Sequence, residues 1–560
     1  MFSGHFQKAV AQADQILEGL IALPGLDKAT YVGKGMINWQ KLPKANRDME
    51  SLFVLNRHIH WGALIDAYKI TEDSKYAERV YSELENWIET CPRPKLCTDY
   101  QEVRKRFDTY SDETLAGWRL LEAGIRMFRS WCRLPELFST YGNVRPELKD
   151  KLYGSLREHA EALIQISPVL HPMADHNHYL MENIGLFMIG YSFPELDIAK
   201  KCVRIGSREI KRCVLTQFSK FGGQIEGCPY YHNEILDLVI MVSGKMKKCG
   251  IELEDVYISR IRHALFYSVY ATRPTGKITA FGDSDACDIK EYKNVYDRIQ
   301  KEDLGELPLF FYEKQLGQAF YRSGWSEKDA SLAVICKIPV QNEHSHIDAC
   351  SFEFTCNGKT MLIDPGRYTY QEGKMRKIFK SPQYHNALIV NGQSPFDYIN
   401  TWEYGEQKSA FIVKADDREI VMKQLSYRPV IHIRKIRPHY EGKVRYITII
   451  DEVKSLNGQY FESVYHLDYR DYECIEQGII CSDSSTHCVI LRDARSDWGV
   501  SEGFISERMD VKRDTIRYIG RKKSAYGTVI TKTVIFAGNG IPGERILNDY
   551  YDIFAAEQEF

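Results

Sequence analysis

The sequence predicts a multidomain α+β chain in which helices come first and antiparallel strands follow. Three observations carry that prediction. Apolar residues recur at helical spacing as far as about residue 271. Strict alternation takes over from about Ala319. Asn-Gly pairs then punctuate the second half at Asn357-Gly358, Asn391-Gly392 and Asn457-Gly458. At 560 residues the chain exceeds one ordinary domain, and two or three are expected. The boundary falls in the polar, Glu/Lys-bearing stretch 300–318, which gives 1–305 as the helical domain and 306–560 as the strand domain.

The helical part opens with Phe6 to Leu23, where Val10, Ala13, Ile16, Leu17 and Leu20 share a face. The same period runs through Leu52 to Ile70, Lys75 to Glu89, Thr114 to Leu134 and Arg145 to Ile166. It continues through Tyr179 to Ser192, Ile198 to Gln217, His232 to Lys248 and Asp255 to Ala271. Short Pro/Gly-bearing connections imply a layered array of helical hairpins, closed or open. Strands are expected at Ala330 to Ile338, Ala349 to Cys356, Thr360 to Ile363, Ala387 to Val390 and Ala410 to Lys414. Others are expected at Glu419 to Gln424, Arg445 to Asp451, Phe461 to Leu467, Thr486 to Leu491 and Gly527 to Phe536. That spacing suggests a large antiparallel sandwich.

A net charge of −2 and a pI near 6.8 exclude a global basic field that would draw in nucleic acid or a membrane surface. No window approaches eighteen apolar residues, so no membrane-spanning helix is expected. Met1 to Lys8 shows no basic segment leading into an apolar one, which reads as a cytoplasmic chain, with a trimmed periplasmic or secreted form as the alternative. The fourteen cysteines follow no disulfide-framework spacing and contain no Cys-x-x-Cys pair, so reduced thiols are expected and a zinc ribbon is not.

Four constellations could carry chemistry. In the first, Asn177 and His178 of Asp175-His176-Asn177-His178-Tyr179 sit at a helix start, where side chains and free N–H groups could meet an anion. The alternative is a capping asparagine with solvent-facing histidines. In the second, a glycine-rich loop, Gly222 to Pro229, runs into Tyr230, Tyr231 and His232, a set that could move protons or simply pack under the loop. In the third, His344, His346 and Asp348 would alternate on one face of a strand, with Asp364 and His385 following. Imidazole and carboxylate ligands would suit zinc. One tension attends this set. A plain hairpin at Asn357-Gly358 pairs Cys356 with Lys359 and turns Asp364 away from His346, so a bulge, or departure of Asp364 from the strand, is required. The fourth is the basic run Lys374 to Lys380, either a solvated loop or a seat for carboxylates and sulfates.

Together these motifs resemble the heparinase II/III-like polysaccharide lyases, which include heparin-sulfate lyases and oligoalginate lyases. The resemblance runs through Leu55-Asn56-Arg57-His58, Asn177-His178, Glu226 to His232, Gly282-Asp283-Ser284-Asp285, Tyr321 to Trp325, His344 to Asp348, Ile363 to Gly366 and His385-Asn386. It implies an N-terminal incomplete α/α toroid followed by a C-terminal antiparallel β-sandwich, with a cleft where the Asn, Tyr and His motifs converge. It further implies β-elimination at a uronic acid, leaving a 4,5-unsaturated sugar. By the family pattern, Asn177, with His178 beside it, neutralises the substrate carboxylate, Tyr231 is the catalytic tyrosine and His344 the catalytic histidine. His344 is base and Tyr231 acid if the C5 proton and leaving group lie on opposite faces, and Tyr231 is both if they share a face. His346, Asp364 and His385 match the ligands of one zinc ion, structural in character, that holds the strand carrying His344. A family Arg-Ser pair is replaced here by Lys380-Ser381.

Arg57, Arg119, Arg126 and Arg376 are candidates for binding substrate anions, and Tyr230, Tyr368, Tyr370 and Trp402 for lining or stacking on sugars. The expected partner is an anionic uronate-containing oligo- or polysaccharide, with no nucleic acid and no membrane, and a homodimer is the assembly to consider. Two competing classes remain. One is a glycoside hydrolase on an α/α toroid, with carboxylates drawn from Glu226, Asp283 and Asp285. The other is a non-catalytic glycan-binding protein.

Overall fold

A computed structural model describes residues 2–23, 29–41, 49–336, 343–406, 409–440, 445–483, 486–492, 496–524 and 527–538. The end of the strand expected at Ala330 to Ile338 lies outside these residues. The chain forms two compact units. One is 1–217 with 241–257, and the other is 218–240 with 258–560. The two ends of the helices Pro229–Lys248 and Asp255–Tyr270 therefore belong to different units, and the helical segments after residue 258 fold with the strands.

The first unit is helical, as expected. Its helices include Phe2–Leu17, Trp61–Thr71, Ser74–Thr90, Leu120–Arg129, Pro146–Gln165, Asn177–Ser192 and Ala199–Gln217. The helix expected over Leu52–Ile70 divides into Met49–Asn56 and Trp61–Thr71. His58 stands between them in the left-handed region, at φ 56°. Its Nδ1 accepts the indole N–H of Trp131 at 2.9 Å, and burial holds it neutral, well below the ordinary histidine range. Buried tryptophans fill this core, and each finds an acceptor. Trp61 donates to Glu83, Trp87 to Asn56 and Trp39 to Asn86. The helices Tyr100–Phe107 and Lys293–Lys301 escape the periodicity reading because each carries only two or three apolar residues.

The Asn177–Ser192 helix is held at close range by glycines. A Cβ on Gly185 would lie 2.5 Å from the Gly124 carbonyl oxygen, so this helix and Leu120–Arg129 touch backbone to backbone. Gly206 makes the same allowance against Phe187.

The second unit is an antiparallel sandwich, as expected. One sheet runs in the order Asp497–Arg508, Val511–Ser524, Gln459–Leu467, Lys359–Leu362, Ser351–Cys356, Ser331–Ile335, Gln318–Arg322 and Phe310–Glu313. Leu388–Val390 also pairs with Gln459–Leu467. The other sheet runs Ala410–Ala415, Ile420–Gln424, Ile431–His439, Arg445–Ser455, Gly527–Gly538, His487–Leu491, Gly478–Ser482 and Tyr472–Ile475. Phe352, Phe354, Leu467 and Tyr518 of the first meet Ile436, Ile449, Ile490 and Ile535 of the second in one core.

Two strand expectations are corrected. The segment His344 to Asp348 is not a strand, because pairing begins only at Ser351. Its backbone groups find loop partners instead: Asp283 N–H donates to His344 O, and Ile347 N–H donates to Lys380 O. Ile431–His439 was missed because it turns His432 and Arg434 inward, which hides the alternation.

Two substitutions test the packing by sign. Gly185→Ala should destabilise by about 1–3 kcal/mol, because the added carbon meets backbone. Gly154→Ala, in an exposed helix position with open space, should stabilise by up to about 1 kcal/mol. Guanidinium unfolding midpoints check both.

Candidate functional site

The second unit gathers most of the expected residues around one four-residue segment, Gly282 to Asp285. Gly282 has φ 62°, and a Cβ there would lie 2.5 Å from the carbonyl oxygen of His344, so the segment lies directly on the His344 loop. Each of the next three side chains anchors a different piece of the site.

Asp283 is fully buried. Its carboxylate accepts from both terminal nitrogens of Arg376, from His344 Nδ1 at 3.1 Å and from His346 Nε2 at 2.9 Å. Burial alone would raise its pKa, but the Arg376 charge and hydrogen bonds override that and hold it well below the usual carboxylate range. An ionised Asp283 is acceptor-only, so both histidines present N–H to it. His344 then keeps a lone pair on Nε2, and His346 keeps one on Nδ1.

Ser284 caps the helix that carries the tyrosines. Its Oγ accepts the Tyr230 N–H at 3.1 Å, at the start of Pro229–Lys248. Asp285 is forked by Arg367, through Nε at 2.8 Å and Nη2 at 2.7 Å. The remaining Arg367 nitrogen donates to the Tyr370 hydroxyl at 2.8 Å, and that hydroxyl lies 2.6 Å from the Tyr231 hydroxyl. The Arg367 guanidinium also covers the Tyr230 ring, 4.7 Å from its centroid.

Tyr231 and His344 stack with ring centroids 3.9 Å apart and planes 21° apart. Burial, with Tyr370 adding, raises the Tyr231 phenol well above its ordinary value. Burial lowers His344 below its ordinary value, although Asp283 opposes the shift. The pair is therefore a protonated phenol on a neutral imidazole at neutral pH. Trp402, 38% exposed, lies 5.0 Å from the Tyr370 ring and 5.7 Å from His344. These rings make an aromatic wall with one solvent-facing member.

His346, Asp364 and His385 lie with one ligand atom each inside 4.8 Å of one another, all buried. The bulge that Asp364 requires is present. Cys356 pairs with Lys359 and Thr355 with Thr360, but Phe354 pairs with Leu362, and the strand ends there. The Asp364 N–H is then held by Glu353, itself paired with Arg273. His385 Nδ1 is 2.9 Å from Asp364 Oδ2. His346 Nδ1, His385 Nε2 and Asp348 Oδ2 are buried without a hydrogen-bond partner among the described residues. Two buried imidazole nitrogens without a hydrogen-bond partner among the described residues, beside a carboxylate, are nitrogen and oxygen donors of the kind zinc takes, so the donor set fits that ion. Asp283 behind His346 adds the outer carboxylate typical of such sites.

Several expected binding residues have internal partners. Arg376 is buried in the helix Lys374–Lys380 and serves Asp283, so it does not reach for substrate anions. Lys380 is buried too and donates to the carbonyls of Glu343 and Thr401. Tyr368 packs on Phe379. In the helical unit, Arg119 is buried against Glu122 between Phe53 and Tyr110. Arg57 shares Glu122 and also pairs with Glu50, and Arg126 donates to the carbonyls of Asn56 and Gly117. Burying a guanidinium without a carboxylate or carbonyl partner is costly, so these arginines are consumed by the fold.

Asn177 opens the Asn177–Ser192 helix and is buried, with its Oδ1 unpartnered among the described residues. The cap is His176, whose Nδ1 accepts the His178 N–H, rather than Asn177. The sequence reading missed Arg367 as a site residue and noted Asp283 only as a hydrolase carboxylate. The signal for both was their place in the Gly282–Asp285 and Ile363–Gly366 motifs.

Arg376→Met should leave Asp283 charged and buried without its cation, at a cost of about 3–5 kcal/mol. Denaturant unfolding of the variant against the parent measures it, and an unchanged midpoint would remove this pair from the site's framework.

Two family models match the chain: Heparinase II/III N-terminus over residues 8–302 and Heparinase II/III-like, C-terminal, over residues 314–546. A heparin-sulfate lyase of Pedobacter heparinus is 24% identical over 397 residues, covering 66% of this chain and 56% of that protein. A heparin-sulfate lyase of Bacteroides stercoris is 23% identical over 444 residues, covering 74% and 64%. The matched region thus spans between about half and two thirds of these curated relatives. A crystal structure of heparinase III superposes with a TM-score of 0.82 at 18% identity, covering 95% of this chain and 85% of that one. A heparan sulfate lyase of Pedobacter heparinus gives 0.65 at 19%, covering 96% and 83%. The likeness shows the fold, helices followed by a β-sandwich. With both of its halves matched by the same pair of models, the chain belongs to the heparinase II/III family.

Proposed function

We propose that the chain is a polysaccharide lyase that cleaves an anionic, uronate-containing glycan of the glycosaminoglycan type by β-elimination. The observation that carries this reading is the Tyr231–His344 stack, in which acid and base are already in opposite protonation states. In the proposed reaction His344 Nε2 takes the C5 proton, the C4–O bond breaks, and the Tyr231 phenol gives its proton to the departing oxygen. Ionising a free tyrosine at pH 7 costs roughly 4 kcal/mol, and burial here moves Tyr231 further from ionisation. Histidine is the less costly base. Arg367 donates to the Tyr370 hydroxyl, which lies 2.6 Å from the Tyr231 hydroxyl, so a hydrogen-bonded chain reaches the proposed acid.

The developing charge sits on the substrate carboxylate, and donors aimed at it should give the largest catalytic contribution. By family pattern Asn177, with His178 beside it, takes that role, through its amide N–H groups. Trp402, with Tyr370 beside it, is proposed to stack on the sugar, and Tyr230 to line the same site. Arg376, Arg57 and Arg119 are not carried into this proposal, for the reasons above.

His346, Asp364 and His385 are proposed to hold one zinc ion. When bound, it supplies a structural tie between three loop segments, next to His344 but not part of the proton transfers.

The substrate class follows from the relatives' names, heparin-sulfate lyase, and from the elimination chemistry the stack supports. A retained hydrolase role is disfavoured by specific contacts. Asp283 is held ionised by Arg376, and Asp285 is forked by Arg367, so neither is placed as a general acid.

Incubation with heparan sulfate, chondroitin, hyaluronan and alginate, as polymers and short oligosaccharides, should raise ultraviolet absorbance on at least one, since only elimination creates a conjugated uronate. Release of new reducing ends without absorbance would overturn the reading in favour of hydrolysis. On the responding substrate, Tyr231→Phe and His344→Ala should each lower turnover by about 10²–10⁴ with the fold intact. A near-parental rate in either would remove that residue from the mechanism. His385→Ala should lose bound zinc and thermal stability together, as read by metal analysis and calorimetry.

A further inference from the structure

On the lyase reading proposed above, we infer that Lys380 is a positioning residue: its side chain clamps the loop that carries His344 to the loop that carries Trp402, so that the proposed base and the proposed sugar platform share one frame. Lys380 Nζ donates to the carbonyl of Glu343, the residue before His344, at 3.1 Å. It also donates to the carbonyl of Thr401, the residue before Trp402, at 2.7 Å. The Lys380 backbone carbonyl accepts the Ile347 N–H at 3.0 Å. One residue therefore grips both ends of the segment 343–347, which forms no strand and has no ladder to hold it. The Lys380 ammonium also lies 4.9 Å from the centre of the Tyr404 ring, and the Tyr404 hydroxyl donates to Ser345 O at 2.8 Å. The second loop thus closes back on the middle of the first.

Lys380 ends the helix Lys374–Lys380, and Arg376 is the other cation that this helix turns inward. The two divide the work on His344. Arg376 pairs with Asp283, which fixes the ring through Nδ1, and Lys380 fixes the backbone on either side of that ring. Energetics set Lys380 apart from an ordinary core side chain. It is fully buried, and its hydrogen-bond partners are carbonyl oxygens rather than a carboxylate. Burial, with the Arg376 charge adding, brings its pKa down to about 7, although Asp283, Glu343 and Glu372 oppose the shift. An apolar chain of similar length would fill the same space without that desolvation cost, so stability alone does not account for an amine here. The family pair noted above carries arginine at this position, and a guanidinium has donors enough for both carbonyls.

Kinetics on the responding substrate test the clamp. Lys380→Met should keep the fold and lower kcat by about tenfold to a hundredfold, the loss expected when a reacting group is misplaced by an ångström or less. Lys380→Arg should recover most of that loss. A parent-like kcat in folded Lys380→Met overturns the proposal, and so does a Lys380→Arg as impaired as Lys380→Met. Should Lys380→Met not fold, Lys380→Gln, one bond shorter and unable to span both carbonyls, replaces it with the same expectations. If the parent eliminates nothing on any substrate, the lyase reading fails and the clamp is judged without substrate. The emission of Trp402 is then isolated as the difference between each protein and its Trp402→Phe counterpart. In Lys380→Met that emission should move to longer wavelength and be quenched more readily by acrylamide, as the loop comes away from the His344 segment. Identical difference spectra in parent and variant overturn the clamp.

Discussion

The buried Asp283 carboxylate is the constraint on which the rest of the site depends. It is charged, it has no access to water, and it must therefore be paired. Arg376 supplies the charge, and His344 and His346 complete the acceptor positions. That one requirement has two consequences. It selects the tautomer of His344 that leaves a lone pair on Nε2, and it selects the tautomer of His346 that leaves one on Nδ1. A single carboxylate thus couples His344 to the cluster of His346, Asp364 and His385, and its two neighbours in sequence extend the coupling. Ser284 fixes the start of the tyrosine helix, and Asp285 fixes the arginine behind Tyr370.

The site separates two proton-carrying groups by environment rather than by distance. Tyr231 and His344 are in van der Waals contact, yet burial moves their proton affinities in opposite directions, because it disfavours the charged form of each. The phenol stays protonated and the imidazole stays neutral. An exposed pair would be separated less, and a pair lacking the Asp283 contact would have no fixed ring orientation.

Much of this was legible in the sequence, and what was not has identifiable causes. The change from period 3.6 to period 2 located the helices and the sandwich, and the Asn-Gly turns located several hairpins. The need for a bulge before Asp364 followed from counting residues across Asn357-Gly358, and the bulge is there. The charged run Lys374 to Lys380 misled, because sequence does not show that Arg376 and Lys380 turn inward to meet a carboxylate and two carbonyls from distant segments. His344 to His346 misled for a related reason. Alternating residues suggest a strand, but tertiary backbone partners at Asp283 and Lys380 replace the ladder. The arginines Arg57, Arg119 and Arg126 show the same limit, since a cation's partner is a property of the fold.

The loop from Asp364 to Tyr370 is braced from behind by the hairpin that follows Asp497. Ser506 N–H donates to Pro365 O, Asp510 N–H donates to Tyr368 O, and Ala286 N–H reaches Glu507 O. A Cβ on Gly366 would lie 2.3 Å from Ser506 O. This arrangement imposes an order on synthesis. A nascent chain has every side chain of the aromatic wall and the ligand cluster once Trp402 has left the ribosome. It cannot lock the arginine and tyrosine loop until about a hundred further residues have followed. The protein is therefore made with its chemistry complete and its scaffold late, and a product truncated before residue 506 would carry all of the proposed reacting groups without the frame that aligns them.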